Sequence, residues 1–141
     1  MGEILIETPL LAVDGIVELL DDHGDCKGIV LIDRVNEPHG LALPGGFVDI
    51  GETVEAALLR EMKEEISLNV SIKGILGVYS DPDRDPRSHC VSVVFICCSR
   101  GVPLAADDAK DVHICSLKDV PYESLVFDHK RILEDYFISM S

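Results

Sequence analysis

Residues 45–68, GGFVDIGETVEAALLREMKEEISL, constrain this chain more than any other stretch. A glycine pair leads into a helix-forming run whose carboxylates are crowded together. Thr53 suits an N-cap, because its hydroxyl can accept from an amide one turn ahead, and the residues that follow are mostly good helix formers. At about 100° per residue, with Glu61 at zero, Glu65 falls roughly 40° to one side and Glu64 roughly 60° to the other. The three carboxylates therefore share one arc of the helix. Leu58, Met62 and Ile66 occupy the neighbouring sector and would seat the helix on a sheet. Glu52 stands just before the helix and can fold back over it. Arg60, four residues before Glu64, can brace it from the side.

Carboxylates this close raise one another's pKa unless a cation lies among them. Oxygen-only ligands suit Mg²⁺, with Mn²⁺ as the alternative, and no His or Cys lies in the cluster to suggest zinc. At Gly45 and Gly46 no side chain blocks a backbone carbonyl from approaching such an ion. The competing reading is a solvated acidic face, the usual fate of carboxylates on a helix.

The rest of the chain supplies a sheet for this helix. Residues 10–20 and 27–35 read as strands joined by the turn DDHGD, hence a hairpin. Residues 41–43 form a short strand, and Pro44-Gly45-Gly46 is expected to break regular structure. Residues 70–80 return to strand character. DPDRDPRSH, 81–89, reads as an exposed loop. CVSVVFICC, 90–98, is apolar and β-branched enough for a strand buried on both faces. A short strand follows around 112–117. A last helix opens at about Asp128, read as its N-cap, with Ile132, Leu133, Tyr136 and Phe137 on the inward side. The expected fold is α/β, a mixed sheet between helices, in a single domain over 1–141.

The formal net charge of −14 argues against nucleic acid and against an anionic membrane surface as partners. It does not exclude a small anion, since a bound metal reverses the local field. Five cysteines, an odd count without a C-x-x-C, point to buried thiols rather than to disulfides or zinc. No signal peptide or membrane-spanning run is legible, so the chain is expected to be cytoplasmic.

At residues 46–68 the sequence resembles the Nudix hydrolases, whose signature is G-x5-E-x7-R-E-U-x-E-E-x-G-U with U a bulky aliphatic. Gly46, Glu52, Arg60, Glu61, Met62, Glu64, Glu65 and Leu68 fall in register. The final glycine of the motif is Ser67, which puts the end of the helix in question rather than the carboxylates. The resemblance implies an α/β/α sandwich and a Mg²⁺-dependent hydrolase of a nucleoside diphosphate linked to another group. It implies Glu61 and Glu65 as principal metal ligands, Glu64 as a further ligand and catalytic carboxylate, and the Gly45 carbonyl as a backbone ligand. Arg60 and Glu52 would orient these groups.

Two softer likenesses bear on the substrate. Residues 79–95 and 126–133 resemble stretches of the ADP-ribose pyrophosphatases of that family. The implied reaction is ADP-ribose to AMP and ribose 5-phosphate. Arg84 and Arg87, on a loop stiffened by proline, are candidates for binding phosphate, and His89 for touching substrate. The competing reading pairs both arginines with Asp83 and Asp85 at the surface. Asp108 is the candidate general base. Phe47 and Tyr79 are the candidates for stacking on a base. The alternatives are a nucleoside triphosphate pyrophosphatase of the house-cleaning kind and a nucleotide-sensing module without catalysis. A homodimer is the expected assembly, because many relatives acting on ADP-ribose are dimers.

Overall fold

Residues 5–106 and 109–141 are described by the computed structural model, with Lys110 in backbone only. Strand β1 (Leu10–Leu20) organises the sheet. It hairpins into β2 (Cys26–Arg34) through Glu18↔Ile29 and Leu19↔Gly28. On its other edge it runs parallel to β6 (Cys90–Ser99), in register from Leu10↔Cys90 to Leu19↔Ser99. β5 (Ser71–Tyr79) pairs antiparallel with β6 and closes that side. β7 (Ala109–Cys115) pairs antiparallel with the free edge of β2.

The feature that makes a site is where β1 and β2 part. Their pairing covers only the hairpin end. At the other end, β3 (Leu41–Ala42) pairs with β2 and β4 (Gly45–Phe47) pairs with β1. The sheet is split there and the β3–β4 segment fills the split. The expected break at Pro44-Gly45-Gly46 is corrected: both glycines belong to β4. Glycine is required, because a Cβ on Gly45 would sit 2.2 Å from the Val13 carbonyl oxygen.

The two helices cover opposite faces. α1 (Val54–Ile66) buries Ala57, Leu58, Met62 and Ile66 against Val13, Val17, Val30, Ile32 and Phe95. α2 (His129–Ser139) buries Ile132, Leu133 and Tyr136 against Ile16, Ile29, Leu31 and Val94. This is the expected mixed sheet sandwiched between helices. The Thr53 hydroxyl accepts from the Ala56 amide at 3.0 Å, as its cap position requires.

Ser67 takes over from the motif glycine in a left-handed conformation, φ 58°, and its amide reaches back to Lys63. The last carbonyls of α1 are satisfied from outside the helix. The Leu104 amide donates to Ile66 and the Ala106 amide to Glu65. Serine thus ends the helix where glycine would do so without strain.

Two further expectations are corrected. The 81–89 segment is not wholly exposed: Arg84 and Asp85 are buried. Asp128 makes no side-chain cap to α2, because Arg84 engages both of its carboxylate oxygens. Among the described residues no helix is long and apolar enough to cross a membrane.

Candidate active site

Arg60 gathers the α1 carboxylates. Its Nε and Nη2 donate to the two oxygens of Glu52 at 2.7 and 2.8 Å. Its Nη1 donates to Glu61 at 2.7 Å and to Glu64 at 3.1 Å, and Nη2 also reaches the Phe47 carbonyl at 3.0 Å. One guanidinium fork therefore fixes three carboxylates and ties the helix to β4. The Asp49 amide adds a bond to Glu52. These bonds, Arg60's foremost, hold the Glu52 carboxyl down at about 2. Burial pushes Glu61 the other way, above its usual range, against the pull of Arg60.

A pH dependence follows for Glu52. Its folded-state pKa lies below the ordinary 4.5, so the pair stabilises the fold fully above about pH 4.5. That contribution is lost as pH falls toward about 2. The stability gap between the native protein and Glu52→Gln is expected to close across this window, read by denaturant unfolding at stepped pH. A gap that stays constant would show that Arg60 does not depend on the Glu52 charge.

The glycine pair faces this array. A Cβ on Gly46 would meet the Glu61 carboxylate at 2.4 Å, and one on Gly45 would meet Asp14 Oδ1 at 2.3 Å. The space a side chain would fill is therefore lined by carboxylate oxygen and open backbone. Oxygen-only donors at Glu61, Glu65 and the Gly45 carbonyl are the chemistry a hard divalent cation takes, so the residues present fit Mg²⁺ or Mn²⁺. Among the described residues no three acidic, histidine or cysteine side chains already converge as a cation would draw them. Glu61 and Glu64 instead share the Arg60 charge. Gly46→Ala is expected to fold, because the clash is with a flexible carboxylate end, but to weaken metal affinity roughly 10–100-fold. Titrating Mg²⁺ against a melting-temperature readout checks this.

The cleft beside these groups has a volume of about 280 Å³. Its far wall comes from β1, the 81–89 segment and the start of α2. Asp14 is buried on β1 and accepts a hydrogen bond from the Ser92 hydroxyl. His129 is buried at the start of α2, and its Nδ1 accepts from the Leu43 amide at 3.0 Å. The ring proton therefore sits at Nε2, 3.9 Å from Asp14. Burial lowers the His129 pKa, in keeping with a neutral ring. Burial also opposes the charge on Arg84, but its bonds to Asp128 at 2.7 and 2.9 Å outweigh that and raise its pKa.

Of the residues expected from sequence, Gly45, Phe47, Glu61, Glu65, Arg84 and Arg87 line this cleft. Glu52 and Arg60 brace it, and Glu64 stands half exposed on α1. Two are placed elsewhere. The Tyr79 hydroxyl donates to Asp135 at 2.7 Å in a second depression that shares Arg84 and Phe127 with this cleft, and the His89 ring lies 3.0 Å from the Ser80 carbonyl. Asp108 lies outside the described residues. Arg87 is paired with Asp85 through Nε and Nη2 at 3.0 and 2.8 Å, and Asp83 pairs with neither arginine in the structure.

Sequence reasoning missed Asp14, Arg34, Phe127 and His129, all of which line the cleft. Asp14 carried a signal, a lone acid within an otherwise apolar strand run. Phe127 and His129 lay in the 126–133 stretch already likened to the ADP-ribose pyrophosphatases, but the left-handed backbone of Phe127, φ 57°, is set by the tertiary fold. For a bulky residue that conformation costs about 1–3 kcal/mol.

A carboxylate-bearing helix set against a glycine strand in a split mixed sheet is the arrangement this chain presents. The NUDIX domain model matches residues 9–136, and the chain belongs to that family. It is 51% identical over 131 residues to an ADP-ribose pyrophosphatase of Methanocaldococcus jannaschii, covering 91% of this chain and 73% of that protein. The NUDIX domain of Shewanella oneidensis NrtR, complexed with ADP ribose, superposes with a TM-score of 0.81 at 26% identity, over 96% of this chain and 91% of that one. A bifunctional NMN adenylyltransferase/ADP ribose pyrophosphatase of Francisella tularensis, complexed with AMP and a manganese ion, gives a TM-score of 0.81 at 27% identity. The match covers 96% of this chain and 43% of the Francisella protein, less than half its length. The resemblance read from residues 46–68 is thereby borne out.

Proposed function

We propose that this chain is a divalent-metal-dependent pyrophosphohydrolase that cleaves ADP-ribose to AMP and ribose 5-phosphate. The observation that carries the reading is the pair of oxygen donors Glu61 and Glu65 on α1, lining with Gly45 and Gly46 a cleft that also holds Arg84 and Arg87. The likeness to a protein named for that activity, at 51% identity, supports the substrate.

In this reading a water adds to one phosphorus of the diphosphate, and the bridging P–O bond breaks to leave two monophosphates. A divalent cation, Mg²⁺ or Mn²⁺, would supply charge neutralisation of the diphosphate and a lowered pKa for the attacking water when bound. Glu61, Glu65 and the Gly45 carbonyl would hold the cation. Arg60 and Glu52 keep those carboxylates in place. The water's proton needs an acceptor. Glu64, half exposed on α1, is the candidate among the described residues, and Asp108 is the candidate from sequence. Arg84, tied to Asp128, and Arg87, tied to Asp85, both line the cleft, and the guanidinium of Arg87, 43% exposed, is the one open to anionic oxygens.

The same reading includes a homodimer, tested by light scattering, and a reducing, cytoplasmic setting, in keeping with five free cysteines and tested by cell fractionation. It includes no nucleic-acid or membrane partner, in keeping with a net charge of −14. The test of function is a panel of nucleoside diphosphate sugars, dinucleotides and triphosphates, with and without Mg²⁺, read by chromatography. AMP and ribose 5-phosphate from ADP-ribose, faster than any other turnover and only with metal, are the expected result. Faster turnover of triphosphates would overturn the substrate, and tight nucleotide binding without turnover would overturn catalysis.

A further inference from the structure

His129 has no part in the proposed reaction, yet it is buried at the first position of α2 and lines the cleft. Its partner lies in the chain that crosses the split. Leu43 and Pro44 join β3, which is paired with β2, to β4, which is paired with β1. Both are buried, and neither belongs to a strand. Pro44 has no amide hydrogen. The Leu43 amide is therefore the one backbone donor of the crossing, and it ends on His129 Nδ1 at 3.0 Å. A buried amide has no water to turn to if that acceptor is taken away. The other ring nitrogen lies 3.9 Å from Asp14, beyond hydrogen-bond reach, so Leu43 rather than Asp14 is what the ring holds.

The crossing sets the Gly45 carbonyl. The Gly15 amide of β1 donates to the Pro44 carbonyl, and the Val48 amide donates to the Leu11 carbonyl of β1. In an antiparallel ladder, residues whose backbone groups face the partner strand alternate with residues whose groups face away. Pro44 and Val48 face β1, so the Gly45 carbonyl is turned away from β1 and into the split. The ladder holds this strand from one side, over three residues. His129 holds the chain from α2, two residues ahead of Gly45.

We propose that His129 is a positioning residue: through the Leu43 amide it fixes the β3–β4 crossing and so sets the direction of the Gly45 carbonyl, the backbone ligand of the proposed metal site. The inference rests on the reading of Gly45 as a metal ligand. It makes the start of α2 serve both walls of the cleft, with Asp128 gripping Arg84 and His129 gripping the glycine strand. Groups that orient metal ligands without touching the ion carry about 10–100-fold of metal affinity.

The experiment compares His129→Asn with His129→Leu. The asparagine side-chain oxygen takes the place of Nδ1 and can accept from Leu43, whereas leucine is of similar size and accepts nothing. Mn²⁺ binding is measured by calorimetry, and exchange of the Leu43 amide by NMR in the metal-free protein. His129→Leu is expected to bind Mn²⁺ about 10-fold or more weakly than the native chain and to exchange the Leu43 amide about 10-fold or more faster. His129→Asn is expected to stay within about threefold of native on both. A role in packing alone would favour the apolar leucine over asparagine at this buried position, and so would rank the two variants the other way. Native-like Mn²⁺ affinity in His129→Leu, or an equal loss in both variants, overturns the inference while the metal reading stands. If the native chain binds no Mn²⁺, the metal reading itself falls and the inference with it. Should His129→Leu fail to fold, His129→Phe, a ring without the acceptor, decides in the same way.

Discussion

With Glu61 and Glu65 both replaced by glutamine, Mg²⁺-dependent cleavage of ADP-ribose is expected to fall by about 10³-fold or more. Glutamine keeps the shape and helix propensity of glutamate but not its charge. A cation clamped on a diphosphate supplies several kcal/mol to the transition state, and roughly 4 kcal/mol corresponds to about three powers of ten in rate. The fold should persist, because the residues that seat α1 are Ala57, Leu58, Met62 and Ile66. Neutralising Glu61 also removes a charge that burial disfavours. Melting curves with and without Mg²⁺ provide the second readout. Saturating metal is expected to raise the native melting temperature by several degrees and to leave that of the double variant unchanged. The exposed Glu55→Gln in the first turn of α1 serves as the control. A double variant that kept both activity and the Mg²⁺ shift would remove α1 as the metal helix.

The largest loss of stability is expected at the other wall. Asp128→Ala leaves the Arg84 guanidinium, whose side chain is only 4% exposed, without its carboxylate. Breaking a buried ion pair from one side costs about 3–5 kcal/mol, because the remaining charge is neither solvated nor paired. For a chain of this size that is a fall of about 10 °C or more in melting temperature. Among the described residues Arg84 retains a hydrogen bond to the Cys90 carbonyl at 3.3 Å, which cannot replace two charged bonds. The double variant Asp128→Ala/Arg84→Met is expected to recover much of the loss, since it buries no charge. Calorimetric melts of the two variants decide the point. If Asp128→Ala melts with the native protein, the pair is structurally idle and Asp128 is better read as a surface residue.

The two predictions draw on different kinds of information. The α1 carboxylates were legible because helical periodicity alone brings Glu61, Glu64 and Glu65 to one side, with Leu58, Met62 and Ile66 beside them. Thr53 and the apolar run of β6 were legible for the same local reasons. Arg84 and Asp128 were not. They stand 44 residues apart, and each had a plausible local explanation, a surface pair within the 81–89 loop and a helix cap. The fold brought them together and displaced both. Gly45 and Gly46 were also misread as a simple break, because a glycine pair signals a turn unless a neighbouring strand is known to approach it.

By itself, the sequence determined the helix, its carboxylate face and the brace at Arg60, consequences of spacings within about 20 residues, where backbone geometry is the governing constraint, while the class of chemistry came from the resemblance of residues 46–68 to the Nudix signature. Only the tertiary structure decided that β1 and β2 part to admit β4, and that Arg84 is buried against Asp128. It likewise placed Asp14 and His129 in the wall of the cleft, and Phe47 and Phe127 around Arg87. Those contacts join segments distant in the chain, and their formation depends on burying apolar surface and pairing buried charge across the whole sheet rather than on any local preference.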